Sequence, residues 1–293
     1  MASYSIKELE HLSGIKAHTI RIWEQRYQII FPERTSTNIR LYSDEDLRKI
    51  INVSLLNHNG YKISAIARMT HEEVTKKVTE ISEAKLEAAI STDLLVVTMI
   101  DMDESQFEKI IRDRTKKIGF ERTVTEVIYP FLEKIGILWQ TGTITPAHEH
   151  FISNLIRQKI IASIAELPIP SKESTKAVLF LPEGELHEIG LLFFHYITRK
   201  NGFMTYYLGQ SVPYEDLKSV HAIHKPKVLI TSFTSFPATG SFEQYIQKLS
   251  KDFSEATILA SGHLVRNIAF QIPKNVRPFY KATELSQLLK TLS

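Results

Sequence analysis

Glu185, His187 and Gly190 stand together directly after the apolar run AVLFLP and ahead of a helical stretch. A histidine in a strand-to-helix loop can turn one imidazole nitrogen outward while a neighbouring carboxylate accepts from the other and fixes the tautomer. Such a residue can be an ordinary hydrogen-bonded histidine or one that faces a ligand, and Gly190 lets a large ligand approach the backbone. A second group is Trp139, nine intervening residues, then Glu149 and His150. An indole offers a broad apolar face and a carboxylate an acceptor, a pairing that also describes a core anchor and a solvated charge. His148, Glu149 and His150 do not form a metal site by themselves: residues two apart on a helix point in separate directions, whereas zinc-binding histidines on one helix stand four apart. His195, His221, His224 and His263 show no ligand spacing and are expected to be structural.

A third group lies at the front of the chain. The run SIKELEHLSGIKAHTIRIWEQRY reads as two helices around a tight turn at Ser13 and Gly14, with Leu9, Leu12, Ile15, Ile20 and Trp23 as a shared core. Lys16, His18, Thr19 and Arg21 then fall at the start of the second helix. In a helix-turn-helix that is the end placed against base edges in the major groove. Arg26, Arg34, Arg40 and Tyr42 flank it as candidate phosphate contacts, and Ser43 followed by Asp46 starts the next helix with a capping-box pattern.

Composition bounds the chemistry. The 293 residues include no cysteine, which removes disulfide frameworks, thiolate nucleophiles, iron–sulfur clusters and Cys-based zinc sites. Hydrophobic residues make up 43% and charged residues 24%, so most of the chain is expected to fold. Residues 1–70 hold ten Lys/Arg against seven Asp/Glu, which accounts for the whole formal charge of +3. That is a mild excess for a nucleic-acid binder. With no apolar run long enough for a bilayer and no signal-peptide stretch, a cytoplasmic protein without membrane contact is expected.

The elements that must carry these residues follow from the pattern. Residues 1–72 are expected to form a winged helix-turn-helix whose wing is the segment PERTSTNIRLYS, and 73–90 a charged connecting helix. Residues 91–165 show apolar-periodic runs broken near Gly119, Gly136 and Pro146, which predicts a helical bundle. The two-proline segment 166–175 reads as a linker. From 176 to 293 short β-rich runs (AVLFLP, FMTYYLG, KVLITSFT, TILASG) alternate with helical ones, which predicts an α/β domain with a parallel sheet. Ligands in such folds bind beyond the carboxyl ends of the strands.

Three stretches resemble known families. TIRIWEQRY, Pro32, Arg34 and NIRLYSDEDL resemble the winged helix-turn-helix of the MerR family of transcription regulators, over about residues 3–70. That resemblance implies a double-stranded DNA operator as partner, gripped by Arg21, Arg40 and Tyr42. The Glu185-x-His187-x-x-Gly190 motif, Ser232, and Ser261 with Gly262 resemble the cobalamin-binding Rossmann-like fold. There the usual motif begins with Asp and the glycines are paired, so Glu185 and Ser261 depart from it. The resemblance implies that His187 is the lower cobalt ligand, Glu185 its partner, and that Ser232, Ser261 and Gly262 line the groove for the nucleotide tail. Trp139 with Glu149 and His150 is similar to the bundle signature of the CarH/LitR group of MerR-type photoreceptors, which implies adenosylcobalamin packed by Trp and Glu. Gln140 and Phe151 replace histidines of that signature.

Together these resemblances imply a multidomain α plus α/β protein: winged helix-turn-helix, helical bundle cap and Rossmann-like cobalamin-binding domain. The function implied is a non-enzymatic repressor whose assembly into a homo-oligomer, dimer or tetramer, and whose operator binding are controlled by adenosylcobalamin and released by light. The alternative is a MerR-type regulator whose effector region no longer takes a cofactor and serves oligomerisation or protein interaction. A corrinoid methyl-carrier is a third reading, against which the amino-terminal domain and the absence of a substrate domain speak.

Overall fold

The computed structural model describes residues 4–85, 88–140, 145–235, 241–266 and 268–292. The chain forms two compact units, Met1–Leu155 and Ile156–Ser293. Helix α1 (Ile6–Ser13) starts where the Ser5 hydroxyl accepts from the Glu8 N–H and the Glu8 carboxylate accepts from the Ser5 N–H, which satisfies two donors left over at a helix start. It stops at Gly14, whose φ of 71° is left-handed. Helix α2 (Ala17–Tyr27) follows, and Leu9, Leu12, Ile15, Ile20 and Trp23 are all buried. The wing is a two-residue antiparallel ladder, β1 (Glu33–Arg34) with β2 (Arg40–Leu41), Arg34 lying opposite Arg40.

Helix α3 (Asp44–His58) opens on the expected reciprocal cap between Ser43 and Asp46. It is followed by α4 (Ile63–Ile66) and α5 (His71–Lys85). Then come α6 (Ala88–Asp101), α7 (Glu104–Ile118), α8 (Phe120–Thr123), a π-helical turn at Val124–Ile128, α9 (Tyr129–Gln140) and α10 (Pro146–Ala165). Gly119 breaks the helical run and Pro146 starts a helix, but α9 runs straight through Gly136. A glycine inside a helix weakens it by only about 1 kcal/mol, which the buried Phe131 and Ile135 on the same helix outweigh. The boundary between the two units falls within α10, after Leu155. Among the described residues no helix is long and apolar enough to cross a membrane.

The second unit alternates β3 (Lys176–Pro182), α11 (Ile189–Lys200), β4 (Met204–Val212), α12 (Tyr214–His224), β5 (Val228–Ser232), α13 (Phe242–Asp252), β6 (Thr257–Ser261), α14 (His263–Arg266), β7 (Val276–Pro278) and α15 (Ala282–Lys290). The five strands are parallel, in the order β4-β3-β5-β6-β7. Four were announced by the sequence; β7 is too short to show a period. Val178 faces Leu229, Leu229 faces Ile258 and Ile258 faces Val276 across the register. These side chains join Leu217 of α12 and Ile246 and Leu249 of α13 in one buried cluster. Ala177, Leu179, Ile230 and Leu259, pointing to the other face, are equally buried, so the central strands are covered on both sides as parallel sheets require.

The order also fixes where a ligand can sit. The chain leaves β3 for β4 on one side and later returns to β5 on the other, so the connections after β3 and β5 diverge and leave a crevice at their carboxyl ends. Glu185 and His187 follow β3, and Thr234 and Ser235 follow β5.

Candidate functional site

The loop after β3 is tied down before it reaches the histidine. The Glu185 N–H donates to the Pro182 carbonyl at 2.9 Å, the Gly184 N–H to the Ser211 hydroxyl at 3.0 Å, and the Ser211 N–H to the Glu185 carbonyl at 3.1 Å. Gln210 donates its side-chain amide to the Leu186 carbonyl at 2.6 Å. The Glu185 carboxylate, only 1% exposed, divides its two oxygens. Oε2 accepts from the Thr234 N–H at 2.9 Å and the Ser235 N–H at 2.7 Å, while Oε1 accepts from the His187 N–H at 3.1 Å and lies 2.6 Å from His187 Nδ1. Burial by itself would raise the Glu185 pKa. The hydrogen bonds from the His187 ring and from the backbone of His187, Ser235 and Thr234 outweigh it and hold the carboxyl at about 2. A carboxylate is acceptor-only, so Nδ1 carries the proton and the lone pair of the neutral ring is on Nε2. The imidazole itself is 59% exposed.

Glu188, next to His187, is also buried. It forms an ion pair with Arg157 of α10 at 2.5 Å and accepts from the Tyr207 hydroxyl at 3.1 Å. Tyr207 stacks on His195, whose Nε2 lies 2.9 Å from the Thr205 hydroxyl. Burial first, then the nearby Arg199, pushes the His195 pKa down to about 4, so this ring is neutral and structural. Neither Arg157 nor Glu188 was singled out by sequence reasoning, since their pairing spans 31 positions and follows no local spacing.

The remaining residues of this group sit at the same sheet edge. Ser232 and Ser261 are direct partners at the carboxyl ends of β5 and β6, and both are buried. Gly262 has φ 103°, and a Cβ there would come within 2.3 Å of the Phe233 carbonyl oxygen, so no other residue fits. The close approach is locked by the Phe233 N–H on the Ser261 carbonyl at 2.8 Å and the Leu264 N–H on the Phe233 carbonyl at 3.1 Å. A Cβ at Gly190 would meet no atom within 4 Å, so open space adjoins this position. In the first unit, His150 is exposed and its Nδ1 lies 3.9 Å from the Glu149 carboxylate. The side chains of Trp139 and Gln140 lie outside the described residues. Among the described residues no group of three His, Asp or Glu side chains is placed to hold a metal ion.

The amino-terminal group is organised by a residue the sequence reading passed over. Glu24 of α2 accepts two bonds from Arg40 Nε, at 3.1 and 2.9 Å, lies 4.0 Å from Arg34 Nη2 and accepts from the Tyr42 hydroxyl at 3.5 Å. It therefore fastens the wing to the second helix. Tyr42 is fully buried and its backbone pairs with Tyr4 at 2.8 and 2.9 Å; burial and the adjacent Glu24 push its pKa up to about 12. Arg34 also donates to Asn38 in the turn of the wing at 2.7 Å. Arg21, Arg26 and the end of Lys16 are exposed, Arg26 lying over the Tyr27 ring and Lys16 3.1 Å from Glu10. Thr19 and His18 touch through their side chains at 3.3 Å. An exposed pair of arginines on a helix whose wing is held beside it is the arrangement that tracks a nucleic-acid backbone.

Residues 4–73 match the model of the MerR HTH family regulatory protein. The chain carries a MerR-type DNA-binding segment. Residues 92–162, covering α6 to most of α10, match the B12 binding domain, which assigns cobalamin as the cofactor class. The Glu185–His187 loop lies beyond that match. Over most of its length the chain is similar to two curated proteins of Myxococcus xanthus. It is 26% identical to the HTH-type transcriptional repressor CarH over 84% of this chain and 84% of that protein. It is 23% identical to the HTH-type transcriptional repressor CarA over 88% of this chain and 85% of that protein. Among solved structures, the monomethylamine corrinoid protein of Methanosarcina barkeri superposes with a TM-score of 0.51 at 15% identity, over 71% of this chain and all of that one; this likeness is one of fold.

The residues present fit a corrinoid. Nδ1 of the ring is held by a carboxylate that is itself anchored by sheet-end amides, and a Cβ at Gly190 would meet open space.

Proposed function

We propose that this chain is a DNA-binding transcriptional repressor whose oligomerisation and operator binding are controlled by adenosylcobalamin, with light as the releasing signal. The observation that carries the reading is the buried Glu185 carboxylate holding the exposed His187 ring by Nδ1. His187 is the proposed cobalt ligand, Ser232, Ser261 and Gly262 border the nucleotide groove, and Trp139, Glu149 and His150 contact the adenosyl side. When bound, adenosylcobalamin supplies a cobalt–carbon bond that light cleaves. The chain's own part is to hold the ring, to dock helices on the cofactor and to bring several DNA-binding segments together, so that linked half-site contacts add through effective concentration. Arg21, Arg26, Arg34 and Arg40 supply phosphate contacts and Lys16, His18 and Thr19 face base edges, whereas Tyr42, expected to meet phosphate, is fully buried with its hydroxyl on Glu24 and braces the wing. The working divisions are 1–72 for the DNA reader, 73–90 for the connecting helix, 91–165 for the cap, 166–175 for the linker and 176–293 for the cobalamin domain.

Size-exclusion chromatography with absorbance detection, on protein mixed with adenosylcobalamin in the dark and again after green light, tests the reading. The expected result is a corrinoid-bound dimer or tetramer that dissociates on illumination. If no corrinoid comigrates with the protein, the departures at Glu185, Ser261 and Gln140 have ended cofactor use, and a cofactor-independent oligomerisation module replaces this reading.

A further inference from the structure

The DNA-binding segment contains a cleft of about 270 Å³ that none of the roles above uses. The turn after α2, helix α3, helix α4 and the start of α5 enclose it. Ile29, Val53, Ile66, Met69 and Val74 give it an apolar wall, and Lys49, Asn52 and His71 give it one polar side. No acidic residue lines it. Asn52 is 8% exposed, and what is exposed lines this cleft. Lys49 stands one turn before Asn52 on α3, so the ammonium and the carboxamide share a face. Its partner is Glu45 at 3.6 Å, in a pair whose side chains are 40% and 74% exposed. Such a pair contributes little and is readily exchanged. Neighbouring Arg48, in the adjoining hollow, is paired with Asp101 at 3.1 Å.

A volume near 270 Å³ lies at the small end of ligand sites and is too large for one bridging water. A cation, an amide on the cleft wall and an apolar wall are complementary to a small organic anion. We propose that this cleft binds a small monocarboxylate with an aromatic or branched apolar body, its carboxylate on Lys49 and the Asn52 amide and its body against Val53, Ile66 and Met69. The occupant would also touch Gln28, the left-handed residue (φ 52°) that ends α2, so binding reports directly on the exit of the DNA-reading helix. The proposal is independent of the cobalamin reading.

Saturation-transfer NMR and calorimetry on the full chain, with phenylacetate and 4-methylpentanoate as probes and phenylacetamide as the neutral control, test it. Binding of phenylacetate with a Kd on the order of 0.1–1 mM is expected for so small a ligand, with phenylacetamide at least about tenfold weaker because it leaves Lys49 without a counter-charge. Lys49→Gln should weaken phenylacetate by about tenfold. Ala67→Trp, which fills the cleft from an exposed position, should abolish binding with the circular dichroism spectrum intact. Asn52→Leu should weaken binding with the circular dichroism spectrum intact, since it removes the amide from the cleft wall. No transfer from either carboxylate, equal binding of phenylacetamide, or binding that Lys49→Gln and Ala67→Trp leave unchanged would overturn the proposal.

Discussion

Replacing Glu185 by Gln keeps the size of the side chain and removes its charge, at a position where the carboxylate serves as acceptor for two loops. The carboxyl is held at about 2 against an ordinary 4.5, a gap worth about 3 kcal/mol in favour of the folded, ionised form. Because the folded pKa is the lower one, this stability is complete above about pH 5 and is lost as pH falls through the folded value, so roughly half of it remains at pH 3. Hydrogen exchange of the β3 and β5 amides, corrected for intrinsic rates, reads the opening of the second unit by itself. Tryptophan fluorescence does not, since Trp23 and Trp139 both lie in the first unit. The expected result is a Glu185→Gln deficit of about 3 kcal/mol at pH 7 that shrinks to about 1.5 kcal/mol at pH 3. A deficit below about 1 kcal/mol at pH 7, or one that stays flat on acidification, would refute the claim that the ionised carboxylate holds these loops.

His187→Ala removes one donor to the buried Glu185 carboxylate but leaves its three backbone donors, so the fold should persist at reduced stability while the corrinoid spectrum and affinity change; an unaltered spectrum would remove the ligand assignment. Trp139→Ala should abolish adenosylcobalamin-dependent assembly in size-exclusion chromatography, and full assembly would reduce Trp139 to a packing role. Arg40→Ala should lower DNA affinity and the salt slope by about one counterion, with corrinoid binding unchanged; equal affinity across salt concentrations would leave Arg40 as a brace for Glu24 alone. Gly262→Ala forces a Cβ against the Phe233 peptide, and a loss of at least about 2 kcal/mol is expected in denaturant titration of the second unit. A neutral outcome would mean that the Phe233 turn can move aside.

Much of this site was legible because its key pair is local. Glu185 and His187 are two residues apart after an unmistakable apolar run, and the expectation that the carboxylate takes one ring nitrogen follows from residue type alone. The helix-turn-helix was legible for the same reason, through Leu9, Leu12, Ile20 and Trp23 at helical spacing around a glycine. What the sequence hid is long-range. The Thr234 and Ser235 amides lie about 50 positions from Glu185, and backbone donors leave no mark in side-chain patterns. Glu24 reads as one more surface charge on α2 until the wing folds back upon it. Gly262 also packs against the Phe233 backbone, a constraint visible only once β5 and β6 are in register.

The division of the Glu185 oxygens bears on how such a chain could signal. One oxygen orients the ring after β3, and the other is fixed by the amides after β5, so the imidazole is held by both walls of the crevice rather than by its own loop. On the other flank of His187, Glu188 is paired with Arg157 of α10. A displacement of His187 would act directly on Glu185 at the sheet edge and, along the chain, on neighbouring Glu188, paired with Arg157 within the same unit. Since a buried carboxylate that loses one donor keeps its desolvation cost, small displacements at this loop are energetically expensive and favour two discrete arrangements over a continuum. That is the property a switch would need at the proposed ligand, between Glu185 and Glu188.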